Sequence, residues 1–151
     1  MQNSNKGQKR RNSMKLVTQQ FGELEVSEEQ IIHFPNGIIG FEDCKKFVII
    51  NDEDFEPFRW LISLDKKEFG FPILNPFLIL DDYKKEFPPS LAKKLQSEDV
   101  PLEVFCVVTL KGENNNVTIN LKGPILIDYE KKEGKQIILT SDELSVSYPI
   151  S

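Results

Sequence analysis

Residues 32–42 read Ile32-His33-Phe34-Pro35-Asn36-Gly37-Ile38-Ile39-Gly40-Phe41-Glu42. Both ends of this stretch are apolar enough to be buried, whereas its centre, residues 35–37, has the composition of a turn. The proline fixes φ there, and the asparagine and glycine tolerate the positive φ that tight turns require. Gly40 allows another turn or a close approach of the backbone to a neighbour. The stretch matches no catalytic motif and predicts a turn-rich piece of a compact β protein.

We expect Phe34 and Phe41 to anchor this stretch inside the protein, with residues 37–40 as a glycine-bracketed apolar tip between them. An apolar tip is unfavourable in water unless another surface covers it. The tip is therefore the first candidate for a binding surface.

The composition is that of a globular protein, with 39% hydrophobic and 28% charged residues in a chain of 151. This length suffices for one domain with a substantial core. The eleven phenylalanines carry no polar group, so they belong in a core or in a sticky surface patch. No apolar run approaches the roughly 20 residues that span a bilayer, and the N-terminus has no apolar signal segment. We therefore expect a cytoplasmic protein that makes no membrane contact.

The two cysteines, Cys44 and Cys106, lie in unrelated segments, and the chain has a single histidine. A structural zinc site needs about four nitrogen or sulfur ligands at close spacing. We therefore expect two reduced cysteines, with Cys106 buried in an apolar strand, and no metal or other cofactor.

The net charge of −5 is unevenly distributed, because residues 1–13 contain four basic residues and no acid. Without those four, 15 basic residues stand against 24 acidic ones, so the remainder carries a charge of −9. The polar, basic composition predicts a disordered tail over residues 1–13 and a single β domain over residues 14–151. An acidic body disfavours direct nucleic-acid binding, since phosphate contacts need lysine and arginine, and it suits a basic protein partner or simply solubility.

Short segments of alternating or β-branched character, spaced roughly ten residues apart, indicate strands joined by turns. They predict an all-β fold, a small antiparallel barrel or sandwich-like domain with one or two short helices. The clearest strands are residues 20–26, 117–122 and 135–140. Ser27 and Gln30 have the spacing of a capping box, which predicts one helical turn. The segment Pro88–Gln96 has proline at its start and leucines at i and i+4, as a short helix requires.

Residues 69–80 form the most apolar segment of the chain. Pro72 and Pro76 exclude a continuous helix or a central strand, so the sequence predicts two short strands bent at Asn75-Pro76. This segment is either a core loop or an exposed apolar rim that receives a partner.

Nothing in the sequence indicates catalysis. His33 lies between Ile32 and Phe34, which is typical of a strand residue rather than of a general base. No nucleophile elbow, P-loop or dinucleotide-binding motif occurs. The acidic run at residues 51–57 lacks the glycine and the spacing of a calcium loop. The sequence therefore favours a protein that is not an enzyme.

Several segments, taken together and in order from Met14 to the end, resemble the FliW family of flagellar assembly factors. They are Phe21-Gly22-Glu23-Leu24, Ile32–Phe34 with Gly37-Ile38-Ile39-Gly40-Phe41-Glu42, Phe58–Ser63, Val117-Thr118-Ile119-Asn120-Leu121-Lys122-Gly123-Pro124-Ile125, Gly134–Leu139 and Tyr148-Pro149-Ile150. The chain departs from the family pattern at Ile62, Gly123, Leu144 and Ser147, where glutamine, alanine, tyrosine and arginine are common.

The resemblance implies a non-catalytic protein with two mutually exclusive protein partners. One is newly made flagellin, bound at its C-terminal region. The other is the translational regulator CsrA, bound away from its RNA surface and prevented from repressing flagellin mRNA. Flagellin synthesis is thereby coupled to flagellin secretion.

We expect partner contacts at residues of the glycine-bracketed tip and of the apolar segment that follows it. The first choice is Ile38, Ile39, Phe41 and Glu42. The second choice is Phe71, Leu74, Asn75 and Pro76. The alternative function is a small-ligand-binding β-barrel whose phenylalanines line a cavity. A nucleic-acid-binding barrel is disfavoured by the acidic body.

Overall fold

The computed structural model describes residues 13–66, 68–97, 99, 101–110 and 116–150. The strands are β1 (Ser13–Thr18), β2 (Gly22–Ser27), β3 (Ile32–His33), β4 (Lys46–Asn51), β5 (Arg59–Ser63), β6 (Gly70–Leu74), β7 (Leu102–Thr109), β8 (Thr118–Ile119), β9 (Ile125–Asp128), β10 (Glu133–Gln136) and β11 (Tyr148–Pro149). One α-helix, α1, spans Pro89–Gln96. Short 3-10 turns occupy Glu28–Gln30, Glu53–Phe55, Pro76–Leu78 and Tyr83–Glu86. The predicted tail lies outside the described residues except for Ser13, which begins β1.

Seven strands close into a barrel in the order β7-β6-β5-β4-β3-β10-β9, with β9 pairing back onto β7. All pairings in this ring are antiparallel except β3 with β10, where His33 lies parallel to Glu133. Strands β8 and β11 extend outward from β7, and β1 with β2 forms a separate hairpin. The predicted all-β barrel with a short helix is therefore confirmed.

The inside of the barrel is filled by its own apolar side chains. Inward-facing residues of β4, β5, β6, β7 and β9 form one buried cluster with residues of β3 and of the turn that follows it. Phe34 and Phe47 meet edge to face at its centre, with ring centroids 4.9 Å apart, and both are fully buried. Phe34 and Phe47 therefore pack the inside of the barrel rather than line a cavity there.

The outside of the barrel wall is buried as well, in two separate layers. The β1–β2 hairpin lays Leu16 and Val26 over Val48 and Ile62, which alternate with the inward-facing residues of β4 and β5. The outward side chains of β6 and β7 belong to another cluster, built around Tyr83 and with one half-buried side of α1 packed against it. Strands buried on both faces read as continuous apolar runs, as β4 does.

Local signals in the sequence account for several of these elements. The predicted capping box is present: the Ser27 N–H donates to Gln30 Oε1 at 2.9 Å and opens the first 3-10 turn. Helix α1 begins at Pro89, whose missing N–H would be unpaired in any first turn. Pro72 lies in β6 opposite Trp60 of β5, and the ladder to β7 begins only at Ile73. The prediction that Pro72 excludes a central strand is therefore wrong, since β6 lies between β5 and β7. The proline is tolerated because no second strand needs its N–H.

Two predicted strands are wrong in extent, and a third predicted strand is a 3-10 turn instead. The segment 117–122 contains only the two-residue β8, because the Lys122 N–H donates to Asn120 Oδ1 at 3.0 Å and bends the chain. The segment 135–140 pairs earlier, since β10 begins at Glu133 and ends at Gln136. After Leu74 the chain forms a 3-10 turn rather than a second strand, and Asn75 Oδ1 accepts the Phe77 N–H at 2.9 Å.

Candidate protein-binding site

The connection between β3 and β4 is built from two tight turns, each of which depends on a glycine. Gly37 has φ +67°, and its N–H donates to the Phe34 carbonyl at 2.9 Å. A Cβ at Gly37 would lie 2.6 Å from Glu42 Cα, so no other residue fits without displacing the backbone. Gly40 has φ +89° and lies between Ile38 and Phe41, which form an isolated antiparallel bridge.

This bridge sends Ile38 inward and leaves Ile39 outside. Ile38 is only 3% exposed and joins the interior cluster, whereas Ile39 is 57% exposed. Phe41 is half-buried and meets the rings of Phe69 and Phe71 edge to face, at centroid distances of 4.6 and 5.0 Å. The predicted four-residue apolar tip is therefore wrong for Ile38, since the tight turn folds that side chain back into the barrel.

An open surface cleft of about 360 Å³ lies beside this turn. Four of the predicted residues line it: Ile38, Ile39, Phe41 and Phe71. The remaining lining comes from β7 and from three segments later in the chain. These residues are Val107, Asn120, Lys122, Gly123, Gln136, Ile138 and Val146. We call this surface the apolar cleft.

Three apolar side chains stand in solvent along the apolar cleft. Ile39 and Ile138 are each 57% exposed, and Val146 is 60% exposed. They come from three separate parts of the chain, so their proximity is a property of the fold. Clustered exposed apolar residues are typical of protein interaction sites, whereas single ones are normal on any surface. The apolar cleft is therefore the strongest candidate functional site among the described residues.

The side chain of Gln136 ties two walls of the apolar cleft together. Its Oε1 accepts the Ile39 N–H at 2.9 Å, and its Nε2 donates to the Gly123 carbonyl at 2.8 Å. A Cβ at Gly123 would lie 2.7 Å from Gln136 Nε2, so glycine leaves room for this contact. Gln136 thereby positions the exposed Ile39 relative to the opposite wall.

The other predicted residues lie outside the apolar cleft. Glu42 is exposed next to the turn, where its Oε2 accepts the Gly40 N–H at 3.1 Å. Leu74 is 2% exposed and Pro76 is buried, so neither side chain is open to a partner in this structure. Leu74 faces outward from β6 and belongs to the Tyr83 cluster, and Pro76 begins the 3-10 turn that follows β6. Asn75 lines a separate cleft near Leu78.

Lys122, Gln136, Ile138 and Val146 escape sequence reasoning because nothing local distinguishes them. Ile138 follows Ile137 and precedes Leu139, which is buried, and the three look alike in sequence. Val146 resembles the start of a terminal strand, although β11 begins only at Tyr148. The only sequence signal for Lys122, Gln136 and Ile138 is that they lie in two segments, residues 117–125 and 134–139, that carry the family resemblance.

A polar cluster away from the apolar cleft consists of Arg59, Glu103 and Tyr129, which pair with one another. Glu103 Oε1 accepts from Arg59 Nη1 at 3.2 Å and from Tyr129 Oη at 2.6 Å, and Arg59 also lies over the Phe105 ring. Burial is the main cause that raises the pKa of the Tyr129 hydroxyl, and its hydrogen bond to Glu103 adds to the effect. This cluster therefore joins β5, β7 and the turn after β9 and leaves no reactive group free.

The described residues contain no cluster of histidine, cysteine, aspartate or glutamate that could hold a metal ion. Within the same residues, every buried side-chain nitrogen or oxygen has a hydrogen-bond partner. His33 is exposed in β3, and its main-chain N–H donates to the Lys132 carbonyl. No helix in the described part of the chain is long and apolar enough to cross a membrane.

Comparison with protein families gives a match to the family described as FliW protein, over residues 15–150. The chain belongs to the FliW family. The flagellar assembly factor FliW of Caldicellulosiruptor saccharolyticus is 44% identical to this chain over 131 residues, which cover 85% of this chain and 84% of that protein. The protein of the same name from Lachnospira eligens is 37% identical over 142 residues, 91% of this chain and 94% of its own length.

A crystal structure of a flagellar assembly factor FliW superposes on this fold with a TM-score of 0.76 at 30% identity. The superposition covers 90% of this chain and 96% of that one. The resemblance drawn from the sequence motifs is therefore confirmed, and this chain has the FliW fold throughout its described barrel.

Proposed function

We propose that this FliW protein is a cytoplasmic, non-enzymatic flagellar assembly factor with two alternative partners. It binds flagellin at its C-terminal region, and it binds the translational regulator CsrA when flagellin is not bound. Binding of CsrA relieves the repression of flagellin mRNA translation, so flagellin synthesis follows flagellin secretion.

The observation that carries the flagellin part is the apolar cleft. A closed barrel with a packed interior has no reason in its own stability to keep Ile39, Ile138 and Val146 together in water. Burying one such side chain in a complex contributes about 1.5–3 kcal/mol. The apolar face of an amphipathic helix presents side chains at i, i+3, i+4 and i+7, and such a face fits an open apolar groove.

A second surface supports binding of the basic regulator. Four exposed acids, Glu23, Glu25, Glu28 and Glu29, lie on β2 and on the 3-10 turn after it. Lys15 approaches Glu23 only at 3.9 Å, and both side chains are largely solvated. An acidic surface raises the association rate with an RNA-binding protein that carries a basic face, more than it raises the affinity.

The test of the flagellin part is a substitution in the apolar cleft with a matched control outside it. Ile138→Asp should weaken the binding of a purified C-terminal region of flagellin roughly ten- to a hundredfold, since it places a charge in the apolar contact. Leu78→Asp changes a side chain that is 60% exposed and lies outside the apolar cleft, so affinity should be unchanged. Calorimetric titration measures both. Equal affinities for the two variants would exclude the apolar cleft as the flagellin site.

The regulatory part is tested by translation of flagellin mRNA in a purified system. CsrA should repress translation, this protein should relieve the repression, and an excess of the flagellin C-terminal region should restore it. If purified CsrA does not bind this protein, or binds it together with flagellin, the proposal of two exclusive partners is wrong.

A further inference from the structure

Lys122 is the only charged residue among the described residues that line the apolar cleft. Its backbone is held on both sides: its N–H donates to Asn120 Oδ1 at 3.0 Å, and its carbonyl accepts the Leu139 N–H at 2.8 Å. The side chain is half-buried. The backbone of Lys122 is therefore held in place beside an otherwise uncharged surface.

Lys122 has no anionic partner within the described residues. The ion pairs there join Lys15 with Glu23, Arg59 with Glu103, Lys66 with Asp43 and Lys85 with Asp82. The charge is tolerated while water reaches it. A purely apolar partner that covered the cleft would remove that water and leave an unpaired ammonium, which is strongly unfavourable.

We propose that Lys122 is the specificity-determining residue of the apolar cleft, and that it selects flagellin segments carrying an aspartate or glutamate side chain among their apolar residues. The proposal deepens the proposed function and rests on it. The carboxylate pairs with the Lys122 ammonium as Ile39, Ile138 and Val146 become covered. A side-chain carboxylate is specified because the cleft is open, so the bound segment continues past Lys122.

The charge of this site is opposite to that of the whole protein. The chain carries −5 overall, so its net charge disfavours an acidic segment, whereas the single charge that lines the apolar cleft favours one. An apolar segment without an acid would cover Lys122 without compensation. The attraction of Lys122 for a carboxylate and the cost of covering Lys122 without one both favour an apolar segment that carries an acid. Specificity of this kind combines a favourable contact with the right segment and an unfavourable one with the wrong segment.

The experiment measures flagellin binding by three variants of the full chain. Lys122→Met keeps the apolar stem and removes the charge, and it should weaken binding about tenfold. Lys122→Glu should weaken it about a hundredfold, because charge-assisted hydrogen bonds are worth more than neutral ones and repulsion is added. Lys84→Glu changes a half-buried lysine outside the apolar cleft and should leave the affinity unchanged. Thermal unfolding of both Lys122 variants should match that of the native chain, since the hydrogen bonds to Asn120 and Leu139 are made by the Lys122 backbone.

The decisive measurement is whether a reversed charge in flagellin restores its binding to the Lys122→Glu variant. Each acidic residue of the flagellin C-terminal region is changed to lysine in turn, and one such change should restore binding to the Lys122→Glu variant while weakening binding to the native chain. If no change rescues, the proposal is wrong. If the flagellin fragment loses affinity when residues are appended after its last one, the partner of Lys122 is a terminal carboxylate and the side-chain assignment is wrong.

Different results would exclude the role of Lys122 and the proposed binding of flagellin. If Ile138→Asp abolishes flagellin binding while Lys122→Met and Lys122→Glu bind as tightly as the native chain, the role of Lys122 is excluded and the proposed function stands. If the native chain does not bind flagellin at all, both are excluded.

Discussion

Ile38 and Ile39 are adjacent and chemically identical, yet the first is 3% exposed and the second 57%. Ile38 joins the packed interior of the barrel and only borders the apolar cleft, whereas the side chain of Ile39 is exposed there. The two regions have similar composition and opposite roles. In the interior, apolar side chains contact one another and stabilise the fold, whereas in the cleft three of them are exposed to water.

This contrast shows that a single turn can serve both roles. The Gly37 and Gly40 turns fix which isoleucine faces inward, and Gln136 fixes where the outward one lies. Substitutions on the inward side should therefore reduce stability, and substitutions on the outward side should reduce binding.

The largest effect is expected on the packed side. Phe34→Ala should lower the free energy of unfolding by about 3–5 kcal/mol, because it removes a fully buried ring and leaves a cavity. Ile39→Ala should change it by less than about 0.5 kcal/mol, since that side chain is exposed. Urea denaturation measures both. Similar losses for the two variants would mean that the inward and outward sides do not differ as described.

The next effect concerns the turn itself. Gly37→Ala should cost about 2–3 kcal/mol in the free energy of unfolding, because it adds an overlap with Glu42 to a strained positive φ. Gly22 has φ +68°, but a Cβ added there would meet no atom within 4 Å, so Gly22→Ala should cost only about 1 kcal/mol. Equilibrium unfolding gives the difference. Equal costs would show that backbone strain alone, and not the close approach, determines the turn.

A smaller effect is expected for the contact that positions Ile39. Gln136→Leu removes two hydrogen bonds at a partly exposed site and should cost about 1 kcal/mol. Amide hydrogen exchange at Ile39 should become about fivefold faster, corresponding to that free energy. The Gly37 amide is the internal control, because its bond to the Phe34 carbonyl does not involve Gln136. Unchanged exchange at Ile39 would show that Gln136 does not hold this side of the cleft.

The smallest effect near neutral pH comes from Cys106, in the layer outside β7. Burial raises the pKa of its thiol from the usual 9.0 to about 12, and the Tyr83 hydroxyl only partly opposes this. A raised pKa favours the neutral thiol in the folded state, so its contribution is present below pH 9 and is lost as pH rises towards 12. Stability should therefore fall less steeply over this range in Cys106→Ala than in the native chain. Parallel slopes in urea titrations would show that water reaches this layer.

Features that depend on near neighbours in the chain were predictable. The capping box at Ser27 and Gln30, the start of α1 and the turn glycines follow from side-chain geometry within a few residues. The extents of β8 and β10 were not, because an Asx turn at Asn120 bends the chain after β8 and Glu133 of β10 pairs with His33 of β3, a strand distant in sequence.

The candidate site was predictable only in part, for the same reason. Ile39, Phe41 and Phe71 were identified because turn glycines and apolar runs mark them in the sequence. Ile138, Val146 and Gln136 carry no such mark. Leu74 and Pro76 have strong apolar signals and are buried, since hydrophobicity alone does not separate a core from a docking surface.

The amino-acid sequence alone determined the all-β class, the position of the helix, the turns around Gly37 and the family, because these depend on local periodicity and on residue motifs. Which apolar residues face water was determined by closure of the barrel. That closure pairs β9 with β7 and places Gln136 within 2.9 Å of Ile39, 97 residues away in the chain. Residues 32–42 carry the chemistry of both a core and a binding surface, and only contacts made across the barrel assign each isoleucine to one of them.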